Sequence, residues 1–277
     1  MQRLCAATCL LLIVAPTPSL ADEGPDTAPA KLRELCTERP GLTTAACTVD
    51  PGHLQVEIGI ADWERDKDSD ARQDQLKLGD IQLRYGLADR TELQISWSTY
   101  VRTATRDYEA GSLTHMHGIG DVTIGLKQNL KHPQEKANGF AAAILPYASL
   151  ATGTNGGGEG DWSAGLIIPL SYKFSDAAAL ALSPRVAAEV DEDRSGRHLA
   201  YGAAAGFQFS ISDKVKVSPE LELMRSRDPA DHATLASAAL SLAWKVGRAT
   251  QLDVQGVSSL NAATPDVRLA LGVSHKF

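Results

Sequence analysis

From His53 to the last residue, apolar side chains fall on every second position. Leu54, Val56, Ile58 and Ile60 alternate with Gln55, Glu57 and Gly59. The same rhythm places Ile81, Leu83 and Tyr85 against Gln82 and Arg84, and Leu93, Ile95, Trp97, Thr99 and Val101 against Glu92, Gln94, Ser96 and Ser98. It continues through 120–128, 161–174, 199–211, 216–224, 237–246, 251–260 and 266–277. A period of two is that of a strand with one oily and one wet face, and no helical 3.6 period competes with it after residue 50. Two further segments, 139–151 and 179–190, are Ala-rich and read as strands from their length and flanks. About twelve strands result. The apolar parity switches from even to odd at Gly79-Asp80, which predicts a bulge there.

The connections carry a second period. Short turns at 88–90, 175–178, 212–214 and 247–249, with the longer 131–138, alternate with connections at 65–74, 102–118, 152–160 and 191–198. The remaining two, near 228–232 and 261–265, are short. Alternating long and short loops fit an up-and-down antiparallel barrel with unlike ends, and an even strand count puts both chain ends on the short-turn side.

The two faces differ in kind. The oily face holds bulky Leu, Ile, Val, Trp, Tyr and Phe. The other holds Gly, Ala, Ser and Gln with charges of both signs: Glu57, Arg84, Glu92, Lys127, Lys173, Arg185, Glu189, Glu222, Asp253 and Arg268. Small residues suit a curved wall on which side chains converge. Aromatics gather at strand ends, with Tyr85, Tyr172, Phe174, Phe209, Trp244 and Phe277 beside the short turns and Trp63, Trp97, Trp162 and Tyr201 toward the long loops. Two such girdles mark a barrel in lipid, and closure removes the sheet edges that a bilayer forbids. The expected architecture is therefore an all-β transmembrane barrel over 53–277, with the ten charged residues lining its lumen. A secreted β-sandwich or soluble barrel is the competing reading.

The N-terminus sets the compartment. Arg3, the apolar run 4–14 and the small-residue site at 19–21 read as a secretory signal peptide over 1–21. Residues 22–52 follow as an N-terminal periplasmic segment. It holds Cys36 and Cys47, an isolated pair expected to form a disulfide in an exported chain. The terminal Phe277, after alternating apolar residues, resembles the C-terminal signal that the outer-membrane barrel assembly machinery recognises. His275 departs from the apolar residue usual at its position. The expected location is the bacterial outer membrane, with both termini periplasmic, outer-membrane lipids as surroundings and a monomeric state.

The stretches at 35–57, 83–97, 118–130 and 145–154, with their Cys-x-x-Arg-Pro opening, Tyr-Gly-turn-Glu-Leu and Gly-x-Gly-Asp motifs, resemble a family of outer-membrane proteins linked by its description to the MetA pathway of phenol degradation, or described simply as transporters. The resemblance covers nearly the whole mature chain. It implies an outer-membrane β-barrel and a transport role, and it brings no set of substrate-contact residues.

Signals for chemistry are weak. His115 and His117 form the one local His pair, in a Gly/Ser/Thr-rich loop without a third ligand. The stretch 153–161 has the glycines of a phosphate-binding loop but neither its Lys nor a following helix, and it reads as a flexible extracellular loop. No nucleophile motif appears. Catalytic residues, metal ligands and cofactors are thus expected to be absent, and a net charge of −7 argues against a nucleic-acid partner. Three functions remain open: a channel or transporter for small hydrophobic or aromatic molecules, an outer-membrane lipid-modifying enzyme, and a structural barrel with a plugged lumen.

Overall fold

The computed structural model describes residues 32–132 and 138–277. The expected signal peptide and residues 22–31 lie outside them. Fourteen strand segments, β1 (Leu54–Lys67), β2 (Ala71–Ala88), β3 (Thr91–Asp107), β4 (Leu113–Gly118), β5 (Val122–Lys131), β6 (Gly139–Leu150), β7 (Ser163–Ile167), β8 (Leu170–Ser175), β9 (Ala178–Val190), β10 (Arg197–Ser210), β11 (Val215–Ser226), β12 (Thr234–Lys245), β13 (Thr250–Ser259) and β14 (Val267–Lys276), trace twelve barrel strands. The numbers differ because two strands are interrupted. β4 and β5 pair with β3 in one register, and β7 and β8 pair with β6 in one register. Pro169 causes the second break, since it has no N–H to give the ladder.

Every pairing between these strands is antiparallel. The sheet closes where β1 meets β14, from Gln55 opposite Lys276 to Arg65 opposite Val267. Phe277 N then donates to Leu54 O at 2.8 Å, extending the seam by one residue.

The bulge is where the parity switch puts it, and it is wider than the sequence reading. Gly79 has φ +62, and a Cβ there would lie 2.3 Å from Thr99 Oγ1. Across the seam, the β1–β14 register shifts between Gly59 and Ala61. The inward–outward alternation changes at the same height in β1, β2 and β3. Beyond it Val101 is buried at 3 % exposure while Tyr100 faces out, so Val101 belongs to the inner face and not to the oily one. Two of the expected long loops are mostly strand. β1 and β2 run on to Lys67 and from Ala71, and β3 and β4 to Asp107 and from Leu113, which leaves turns at 68–70 and 108–112.

Burial is inverted relative to a water-soluble protein. Leu221, Leu223, Leu240 and Leu269 are more than half exposed, whereas Arg84, Glu57, Glu92 and Lys127 are at 0 %. Exposing a large apolar side chain to water forgoes about 1.5–3 kcal/mol, so a belt of them requires an apolar surrounding. The belt is edged as expected, with Tyr85, Tyr172, Phe174, Phe209, Trp244 and Phe277 exposed near the short turns and Trp162 and Tyr201 near the other end. Phe207 and Phe209, with centroids 4.4 Å apart, continue a run of ring contacts through Phe174 to Tyr172. The molecule is an all-β, outer-membrane-type barrel.

A candidate functional site in the plugged lumen

Residues 33–50 enter the barrel at the short-turn end, and the Cys36–Cys47 disulfide closes the segment into a loop. A chain without regular secondary structure cannot satisfy its own amides, so the wall must supply partners. It does so with the inward face of the strands. Gln55 Nε2 and Arg84 Nη1 donate to Cys36 O at 2.9 and 2.8 Å. Arg84 Nη2 donates to Cys47 O at 3.2 Å, and Asn129 Nδ2 to Ala46 O at 2.7 Å. In the other direction Glu57 accepts from the amides of Glu38 and Arg39, Glu92 from Val49 N, and Glu220 from Leu42 N and Thr43 N. The inserted segment is thus a plug.

Five acidic and basic side chains form the centre of the seat. Arg84 reaches Glu57 and Glu92, each at 2.9 Å. Lys127 lies 3.3 Å from Glu92 and also binds Glu38, which the plug supplies. Gln94 adds a bond to Glu38 at 2.8 Å. Burial opposes ionisation of Glu38, but Lys127 and Arg84 outweigh it and hold its carboxyl well below the usual range, at about 2. Arg39, also from the plug, pairs with Asp253 at 3.2 Å.

Glycines on the inner face make the insertion possible. A Cβ at Gly86 would lie 2.1 Å from Asp50 O, and one at Gly272 would lie 2.5 Å from Arg39 Nε. The sequence shows these as small residues on the wet face; the reason for them is the backbone and Arg39 of the plug.

The ten residues read from the sequence as lumen candidates do not form one group. Glu57, Arg84, Glu92 and Lys127 converge on the plug, and Asp253 joins them through Arg39. Arg268 pairs with Asp62 at 2.8 Å, and Arg185 with Glu189 at 3.3 Å, both nearer the other end. Glu222 is half-buried and makes no hydrogen bond among the described residues. Lys173 sits at the short-turn mouth, 2.6 Å from Asp176. Sequence reading missed Glu38, Arg39, Glu220, Asp62 and Lys276. Glu220 could have been found, since it shares the parity of Glu222. Asp62 could not, because the bulge shifts it to the inner face. Lys276 donates to Asp50 Oδ2 at 3.0 Å and so fastens the last strand to the plug.

The plug does not fill the mouth. A cavity of about 320 Å³ remains between it and the wall of β6 and β8–β13, lined among others by Ala141, Lys173, Ala181, Gln208, Lys216 and Lys245. At the opposite end the glycine-rich connection 152–160 folds back on 118–121. Asp121 accepts from Gly153 N and Glu159 N, both at 2.7 Å, and a Cβ at Gly118 would lie 1.7 Å from Thr154 O. That connection is fastened to its neighbours, whereas the sequence reads as a flexible loop. His115 and His117 stand exposed on β4, with His115 Nδ1 3.4 Å from Arg102 and His117 stacked on Tyr100.

Among solved structures, the chain is similar to the transport unit of the autotransporter AIDA-I from Escherichia coli, at 9 % identity and a TM-score of 0.51, over 81 % of this chain and 90 % of that one. It is also similar to the NanC porin, at 11 % identity and a TM-score of 0.49 over 81 % and 100 %, and to the CymD monoaromatic hydrocarbon channel, at 10 % and 0.46 over 82 % and 88 %. The first of these likenesses shows the barrel fold. No curated protein matches the chain in sequence. A family model does match, over residues 37–277, from within the plug through the last strand, and the chain belongs to that family, described as "Putative MetA-pathway of phenol degradation".

Proposed function

We propose that this barrel passes small solutes across the bacterial outer membrane, with the plugged short-turn end and both chain ends on the periplasmic side. The observation that carries this reading is the cavity of about 320 Å³, lined in part by Lys173, Lys216 and Lys245, left beside the plug at that mouth. A structural barrel has no need of an unfilled, charge-lined space there. The family's description adds a substrate class, small aromatic or hydrophobic molecules. The role is transport rather than catalysis. Delivery to the membrane runs through the barrel assembly machinery, with Phe277 as the recognised end.

One observation favours a second reading, a barrel closed for good. The charged groups of the seat are fully buried and bonded on both sides, and such networks hold one arrangement against others. Reconstitution in planar bilayers separates the two. Discrete conductance steps from the intact protein support passage. Silence from the intact protein, and from a variant lacking 33–50, would leave the plugged structural barrel.

A further inference from the structure

The geometry points to a divalent-cation site of the zinc class at the end of the barrel opposite the plug, built from Asp191, His198 and Asp228. Two connections bring the three residues together. Asp191 follows β9, His198 is the second residue of β10, and Asp228 lies in the connection after β11. Their side chains are 12 %, 7 % and 12 % exposed. One ligand atom from each lies within 4.8 Å of the others.

The Asp228 carboxylate and the Asp191 main chain are held by backbone hydrogen bonds independently of any ion. Asp228 Oδ1 accepts from Ala230 N and Oδ2 from Glu192 N, both at 2.8 Å. Asp191 N donates to Gly196 O at 3.1 Å, and a Cβ at Gly196 would lie 2.4 Å from Asp191 Oδ2, so a side chain there would push that carboxylate from its place. His198 Nδ1 faces both carboxylates, at 3.0 Å from Asp191 Oδ1 and 3.3 Å from Asp228 Oδ2. A single ring proton can make one full hydrogen bond there, so the ring serves one of the two facing carboxylate oxygens and not both. A divalent ion bonds all three atoms and neutralises the two acids. Zinc binds N and O at about 2.0–2.2 Å, which sets tetrahedral ligands roughly 3.3–3.5 Å apart, close to the two spacings from His198 Nδ1, 3.0 and 3.3 Å. His198 Nε2 lies 3.0 Å from Ser226 Oγ, the outer hydrogen bond that turns Nδ1 toward a metal. Water completes the fourth position. Calcium and magnesium prefer all-oxygen sets and suit the site less well. The bound ion would clasp the β9–β10 turn to the β11–β12 connection at the rim.

The test uses the full mature chain in detergent, in a His115→Gln/His117→Gln background that removes the exposed pair on β4. Calorimetric titration with zinc chloride should find one tight site. His198→Gln or Asp228→Asn should weaken it at least 100-fold, and Ser226→Ala about ten-fold. Calcium should not compete. Heat-dependent gel mobility reports whether each variant has folded. Should the variants misfold, cobalt added to the unmutated background should give the intense visible bands of four-coordinate ligation and lose them to zinc. Zinc affinity unchanged in folded His198→Gln, or a background protein that takes up no cobalt, would overturn the site.

Discussion

Arg84 and Glu92 meet through two nearly parallel hydrogen bonds, Nε to Oε1 at 2.9 Å and Nη2 to Oε2 at 3.1 Å, with both side chains at 0 % exposure. The two residues stand on neighbouring strands, β2 and β3, next to the turn that joins them. Arg84 also binds Glu57 on β1 and two carbonyls of the plug. One guanidinium therefore ties three strands and both disulfide-linked residues together. The planar five-donor fork of arginine suits this, and a lysine would not replace it.

Removing Arg84 should accordingly be severe. Arg84→Leu strands Glu57 and Glu92 without their main counter-charge, which for buried pairs costs on the order of 3–5 kcal/mol. Urea unfolding of the refolded barrel should show that loss. Arg84→Leu combined with Glu92→Leu should cost less than Arg84→Leu alone, because no carboxylate at 92 is then left unpaired. An additive result would show that the pair is not coupled.

Gly86 tests the plug separately from the wall. A side chain there meets the backbone of Asp50, at 2.1 Å for Cβ, and the barrel offers it no other space. Gly86→Val should leave heat-dependent gel mobility intact while exposing 33–50 to protease. Equal protection of that segment in the variant and the parent would mean that the plug does not sit against β2.

The disulfide should matter for the same segment. Closing a loop of this length stabilises by about 3 kcal/mol in the chain-entropy model. Cys36→Ser with Cys47→Ser should therefore leave a folded barrel whose plug is released at lower urea than the wall unfolds. Thiol labelling of the parent without prior reduction should find neither cysteine. Labelling of both would remove the basis for this expectation.

Much of this architecture is legible in the sequence, and the limits have physical causes. The twelve strands, their inner and outer faces and the bulge at Gly79 follow from a period of two, which a closed barrel imposes at nearly every position. Val101 was misplaced because a bulge in β2 is propagated to β3, where no glycine announces it. The strand extensions at 65–74 and 102–118 were hidden because strands beyond the bilayer no longer need an oily face. The plug itself was not legible. Residues 33–50 have no regular structure and hence no period. Their partners, such as Glu220 for Leu42 and Arg84 for Cys36, lie far away in the chain. The Asp191–His198–Asp228 cluster was missed for the same reason, since Asp228 comes from a different connection, 30 residues after His198.

Acid should loosen the plug. Glu38 is held at about 2 when seated, against 4.5 for an unperturbed glutamate. The seated state thus binds fewer protons than the released one, so its stability is full above pH 4.5 and declines as the pH falls toward 2. Protease access to 33–50 should rise across that window. Glu38→Gln should flatten the profile. A profile of the same shape in the parent and in Glu38→Gln would assign the acid response to other groups.

Ion selectivity tests whether solutes use the cavity beside the plug. Three of its lining residues are Lys173, Lys216 and Lys245. Lys173 is paired with the exposed Asp176, and Lys245 lies 3.5 Å from Glu34, itself 83 % exposed. Lys216 has no hydrogen bond or ion pair among the described residues and stands on β11 beside β12, which carries Lys245. A fixed positive charge in a narrow passage raises the local concentration of anions. The parent should therefore prefer anions in asymmetric potassium chloride, and Lys216→Glu should move the reversal potential toward cation preference. The shift should shrink at 1 M salt, where charges are screened within about 3 Å. Lys216 is not part of the plug seat, so its replacement should leave protease protection of 33–50 unchanged. Conduction with the same reversal potential in both proteins would mean that ions cross by a path that avoids this cavity.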